Sequence, residues 1–242
     1  MMPKILLIPG NMCDARLWRP VADRLTAAGH TATALGAPTG DSIAAMAQGV
    51  LSAHTGPLVS VGFSMGAIVA ATMATLAPDR ISGLGLVAFN ASADLPDRAA
   101  ARPRQQERVR EGALAAIVSD ELKPNYLALA NRDNAALRAL VMDMAEAVGP
   151  ARFLSQSEAL RTRNDLRPDL AGLAMPVMLA AGREDRLCPP AWHAVWRDAI
   201  GPHARLHVID DAGHLVPLEQ PEALADALID WIEEDFKWPR QF

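Results

Sequence analysis

Short apolar runs alternate with longer stretches of helical periodicity along this chain, and that alternation leaves few folds open. Ile5-Leu6-Leu7-Ile8 stops at Pro9-Gly10, which reads as a buried strand entering a tight loop. Thr31–Leu35, Pro57–Phe63, Ile81–Phe89, Val177–Ala181 and Arg205–Ile209 are further strand candidates. Helical patterns fill the intervals. Asp14 is placed to cap a helix carrying Trp18, Val21 and Leu25 and ending near Gly29. Asp41-Ser42 opens an Ala-rich helix to about Ala53, and Met65–Ala77 is a small-residue helix closed by Pro78. Pro190–Ile200 starts with Pro in its first turn. Pro221–Phe236 places Leu224, Leu228, Ile229 and Ile232 on one face. Strands alternating with helices imply right-handed crossovers, and so a parallel sheet with helices on both faces.

The alternation is broken once. From Ala91 to Ala174 the periodicity is helical and no strand is evident, with Pro96, Pro103, Pro124 and Gly149-Pro150 as punctuation. The expected organisation is an α/β core made of residues 1–90 and 175–242, with residues 91–174 as an all-helical insertion. A chain of 242 residues can bury one large core and carry such an insertion.

Composition removes several function classes. A formal net charge of −5 lacks the basic footprint of a nucleic-acid binder. No run reaches the ~18 apolar residues of a membrane helix. The apolar run after Met1-Met2-Pro3-Lys4 is too short for a signal-peptide core, so a cytoplasmic, membrane-independent protein is expected. Two cysteines, Cys13 and Cys188, cannot form a disulfide scaffold and have no metal-ligand spacing. They read as small packing residues. No phosphate-binding glycine loop is present, which disfavours a nucleotide-binding protein. No cofactor and no metal are expected.

The sharpest local signal is Gly62-Phe63-Ser64-Met65-Gly66, between a candidate strand and a candidate helix. Random placement of the chain's nine serines and sixteen glycines gives about 0.04 such matches. A serine on a sharp strand-to-helix turn needs neighbours without bulk two positions away. The turn lifts Oγ clear of the sheet, and the Met65 N–H at the helix start can face a developing oxyanion.

Serine is a weak nucleophile and needs a base. Of six histidines, His30, His54 and His203 lie near element ends, His207 lies in a strand, and His193 reads as a surface residue of a helix. His214 differs. It sits in Asp210-Asp211-Ala212-Gly213-His214, after a strand and before the last helix. The base in turn needs an orienting carboxylate, and Gly182-Arg183-Glu184-Asp185 offers Asp185, with Glu184 as runner-up. Ser64, Asp185 and His214 each follow a strand, and the C-terminal ends of parallel strands share one rim.

With these residues in place, the chain resembles the alpha/beta-hydrolase family over nearly its whole length. Leu6-Leu7-Ile8-Pro9-Gly10-Asn11 resembles the family's first long strand and oxyanion loop, with Pro9 where members commonly have histidine. Gly62–Gly66 matches the nucleophile elbow, Gly182–Asp185 with Pro189 the acid loop, and Gly213–Pro221 the histidine loop. The insertion resembles the cap of small members such as the pimeloyl-carrier-protein methyl ester carboxylesterases. The resemblance implies an alpha/beta-hydrolase fold of about six mostly parallel strands with a helical cap, and selects Asp185 over Glu184. It assigns the oxyanion hole to the backbone N–H groups of Met65 and Asn11, with Met12 as the neighbour to examine.

The expected activity is hydrolysis of small carboxylic esters or related acyl compounds by a Ser-His-Asp triad. Acyl transfer, cofactor-free perhydrolysis, carbon–carbon bond hydrolysis and a ligand receptor with a slow triad are the alternatives. Arg98, Arg102, Arg104, Arg108 and Arg110 oppose only Glu107 within their stretch. Such a run is commonly a solvated face. Its functional reading is a cap surface for an anionic substrate or an acidic carrier protein.

Overall fold

The computed structural model describes residues 3–122 and 126–236; Met1, Met2 and Pro124 of the sequence reading lie outside them. Six strands form one sheet: β1 (Lys4–Ile8), β2 (Ala32–Ala34), β3 (Leu58–Phe63), β4 (Ile81–Val87), β5 (Val177–Gly182) and β6 (Ala204–Ile209). Their order is β2-β1-β3-β4-β5-β6, and every pairing is parallel. Helices α1 (Arg19–Ala27), α2 (Ile43–Ala53) and α3 (Met65–Leu76) connect the first strands. Helices α7 (Pro190–Ile200), α8 (Val216–Glu219) and α9 (Pro221–Asp235) belong to the last third of the chain.

The continuous apolar strands are explained by burial on both sheet faces. Along β1, Ile5 and Leu7 join the core under α1 and α9, while Leu6 and Ile8 join the core under α2 and α3. Along β5, Met178 and Ala180 face the first core and Val177 and Leu179 the second. Side chains alternate with period two, so a half-polar strand would bury charge on one side.

Local signals mostly hold. Ser42 Oγ caps α2 by accepting from Ala45 N at 3.1 Å. Asp14 departs from expectation: its carboxylate accepts from Arg16 N and caps a single 3-10 turn at Ala15–Leu17 that precedes α1.

Between β4 and β5 lies a segment of helices joined by loops, with no strand among its described residues. It comprises α4 (Pro96–Arg110), the single turn α5 (Leu114–Ala116) widening into a π-turn at Ile117–Leu122, and α6 (Ala135–Arg161). Gly149 bends α6 with φ 81°, and Pro150 follows it. Val109, Ile117, Val118, Ala145 and Phe153 form a small core there that also takes in Met12. Among the described residues no helix is long and apolar enough to cross a membrane.

Candidate active site

The structure brings Ser64, His214 and Asp185 together. Ser64 lies between β3 and α3 with φ 53° and ψ −115°, a conformation L-residues avoid. The elbow glycines explain how it fits. A Cβ on Gly62 would run into the Gly66 carbonyl, and a Cβ on Gly66 into the Ile8 carbonyl. Small residues therefore let α3 start directly against the ends of β1 and β3. Four non-glycine residues have positive φ in the described chain: Met12, Ser64, Ala88 and Asp211. They follow β1, β3, β4 and β6, so backbone strain collects on the rim where the loops converge.

Ser64 Oγ lies 3.0 Å from His214 Nε2, and His214 Nδ1 lies 2.8 Å from Asp185 Oδ2. His214 is 1% exposed. Its ring is held between Phe63, at a centroid distance of 5.1 Å, and Tyr126, at 5.0 Å. Asp185 Oδ1 accepts from Leu187 N at 2.8 Å and Cys188 N at 2.9 Å. Burial alone would raise the Asp185 pKa, but His214 and these two N–H groups outweigh it and hold it below the usual carboxylate value. Asp185 is thus kept ionised beside the imidazole. Glu184 points elsewhere, accepting from Leu129 N at 2.9 Å.

The loop after β1 is held by the helical segment. Gln156 Oε1 on α6 accepts from Met12 N at 2.9 Å and from Asn11 Nδ2 at 3.0 Å. Met12 N–H is thereby engaged within the protein. Met65 opens α3, and a first helical N–H has no intrahelical acceptor.

The histidine loop is held by Glu219. Its buried carboxylate accepts from Gly213 N at 3.0 Å, Leu215 N at 3.1 Å, Ala128 N at 2.7 Å and Asn131 Nδ2 at 3.1 Å. His214 N itself donates to the Tyr126 carbonyl at 2.6 Å.

A cavity of about 280 Å³ opens beside Ser64, with Asn11, Met65, Tyr126 and Cys188 among its lining residues. Asp185, Cys188 and His214 bring three potential metal ligands within 4.8 Å of one another. Burial raises the Cys188 pKa, which keeps the thiol protonated and a poor ligand. Cys13 is buried, with Sγ 3.5 Å from the Asn11 carbonyl.

His193 corrects the sequence reading. It is fully buried, not on the surface: Nε2 accepts from Phe89 N at 2.8 Å, and Nδ1 lies 3.2 Å from the Pro189 carbonyl. The reason is helical period, since His193, Trp196 and Ile200 share the buried face of α7. Burial pushes its pKa down to about 4. The unfolded chain takes this proton near pH 6.5, the folded one only near its lowered value. The contribution is complete above pH ~6.5 and is lost as pH falls through that window, by about 3 kcal/mol at most. Urea unfolding of His193→Gln at pH 4.5 and 7 is expected to show a smaller stability difference than wild type.

Gln156 and Tyr126 carry no motif of their own, and Tyr126 stands out only as the single tyrosine of the chain. Glu219 lies inside the Gly213–Pro221 histidine loop, where the sequence reading assigned it no role.

A model of the alpha/beta hydrolase family matches residues 5–227. The chain belongs to this family. A pimeloyl-(acyl-carrier protein) methyl ester esterase of Edwardsiella ictaluri is 29% identical over 250 residues, covering 95% of this chain and 93% of its own. One of the same name from Xanthomonas campestris is 31% identical over 188 residues, covering 74% of this chain and 72% of its own. Among solved structures, a thermophilic esterase from Thermogutta terrifontis superposes with TM-score 0.86 at 26% identity, covering 97% of this chain and 90% of that one.

Proposed function

We propose that this alpha/beta hydrolase is a serine esterase in which Ser64 is the nucleophile, His214 the general base and Asp185 its orienting carboxylate. The observation that supports this most directly is the unbroken relay from Ser64 Oγ through His214 to Asp185, with contacts of 3.0 and 2.8 Å, beside a cavity. His214 Nε2 takes the Ser64 proton as Oγ attacks the ester carbonyl. Asp185 accepts from Nδ1–H, fixes the tautomer and stabilises the imidazolium. The backbone N–H groups of Asn11 and Met65 receive the oxyanion, each donor worth roughly 3–4 kcal/mol in such sites. Gln156 favours Asn11 over Met12 in this role, because it already occupies the Met12 N–H. His214 then protonates the departing alcohol, and water attacks the acyl-enzyme with His214 again as base.

The helical residues 91–174 act in this reading as a cap over a core of 1–90 and 175–242. The esterase names of the relatives agree with ester cleavage, and those of the carrier-protein methyl ester esterases extend it to acyl groups carried on a protein. An acidic carrier would dock on α4. Arg102, Arg108 and Arg110 are paired with Asp94, Glu121 and Glu107, so Arg98 and Arg104 are the arginines of that helix outside ion pairs among the described residues.

Incubation with a fluorophosphonate and a chain-length series of p-nitrophenyl esters tests the reading. A mass increase mapped to Ser64, with parallel loss of p-nitrophenol release, is the expected result. Folded protein that neither labels nor turns over any ester would favour a ligand receptor.

A further inference from the structure

One wall of the cavity beside Ser64 carries more buried positive charge than the fold requires. Arg102 and Arg163 both address Asp94, whose side chain is 1% exposed. Arg102 Nε donates to Oδ2 at 2.6 Å, and Arg163 Nη1 lies 3.3 Å from Oδ1. Arg163 also donates to the Ser92 carbonyl at 2.9 Å. Burial pulls the Arg163 pKa below the usual guanidinium value; Asp94 opposes this, while Arg102 and Arg98 reinforce it. Arg98 is the third guanidinium on this wall. Its one hydrogen bond goes to the Leu187 carbonyl at 3.4 Å, and no ion pair engages it among the described residues. The acids lining the same cavity, Asp97 and Glu121, are exposed, and Glu121 is already paired with Arg108.

Asn90 supplies an independent observation. It lines the cavity and is 5% exposed. Its Oδ1 accepts from Ser92 N at 3.0 Å, while its buried Nδ2 has no partner among the described residues. An unmade buried hydrogen bond is unfavourable, and so is a buried excess of positive charge such as two guanidiniums sharing one carboxylate. An anionic group entering the cavity would offset both.

We propose that Asn90, Arg98, Arg102 and Arg163 form a carboxylate subsite, so that the preferred substrate is an ester whose acyl part ends in a free carboxylate. The proposal rests on the esterase reading above. A planar carboxylate matches the guanidinium fork in a way a neutral chain end cannot. Ser64 and the four residues share the one cavity, so a short half ester of a dicarboxylic acid can present its carbonyl to Oγ and its far end to the arginines.

The test compares p-nitrophenyl hemiadipate with p-nitrophenyl hexanoate, which share a six-carbon acyl chain. Arg98 is the residue to vary, because it stands outside the Asp94 ion pair. Wild type is expected to favour the carboxylate in kcat/KM by about tenfold or more, mainly through KM. Arg98→Gln should reduce that selectivity severalfold, and Arg98→Lys should restore part of it. Calorimetric titration of adipate onto wild type, weakened in Arg98→Gln, reads the subsite without turnover. Equal selectivity in wild type and Arg98→Gln, or no adipate binding, overturns the proposal. Adipate binding that depends on Arg98, without turnover of either ester, supports the subsite and counts against the esterase reading alone.

Discussion

Ser64→Ala is expected to lower kcat for p-nitrophenyl esters by about 10⁴- to 10⁶-fold with little change in thermal stability. Among the described residues the hydroxyl makes one hydrogen bond, to His214 Nε2 at 3.0 Å, so its removal leaves no backbone group there unpaired. The loss corresponds to roughly 5–8 kcal/mol of transition-state stabilisation. His214→Ala should match it. The sharper result is the double variant. Groups that act as one unit are strongly non-additive, so Ser64→Ala with His214→Ala should be about as slow as either alone. Steady-state kinetics on the two single variants and the double decide this. Residual rates that multiply would mean that the two side chains act separately and that their contact is incidental.

The second large effect is expected at Glu219, which touches no substrate in the proposed mechanism. Glu219→Ala removes the acceptor of three backbone N–H groups and one side-chain amide. Unsatisfied buried donors cost about 1–3 kcal/mol each, so a loss of about 3–6 kcal/mol is expected. For a chain of this size that lowers Tm by about 6–24 °C. Glu219→Gln is the informative variant, because it keeps one accepting oxygen and the side-chain volume. It should remain folded with kcat reduced about tenfold or more and KM little changed, since the group displaced is His214 rather than a binding surface. Calorimetry and steady-state kinetics on both variants check this. A Glu219→Gln protein with wild-type kcat would limit the residue to stability.

The layout of the core was legible because β1, β3, β4 and β5 are buried on both faces, and because the loop between β3 and α3 is flanked by glycines with a steric signature. Ile5–Ile8 reads as a strand from its unbroken apolar run, and the fold uses all four residues, two per side. Gly62 and Gly66 announce the elbow because any side chain there meets backbone. Asp185 and His214 were readable from their place after β5 and β6, given a parallel sheet. The contacts that hold these groups were not readable. Gln156 reaches Met12 across 144 residues, and Asn90 and Arg163 meet one cavity from opposite ends of the helical segment. Such pairs depend on how α4 and α6 pack, which no local pattern encodes. Ala88 and Asp211 have positive φ without being glycine, and nothing in their neighbourhoods announces the strain. His193 was readable in principle, since it stands three and seven residues before two other buried positions of α7. A polar residue within a helix reads as a surface residue, and the packing of α7 overturns that expectation at His193.

The bond from His214 N to the Tyr126 carbonyl, with Ala128 tied to the same carboxylate as Gly213 and Leu215, makes residues 126–131 and the His214 loop one mechanical piece. A displacement of residues 126–131 would therefore be passed to the loop that carries the imidazole, and so to its 3.0 Å contact with Ser64 Oγ. The same joint limits how such a chain can diversify. Insertions after β4 must carry along both the stretch that meets the histidine loop and the Gln156 that meets the loop after β1.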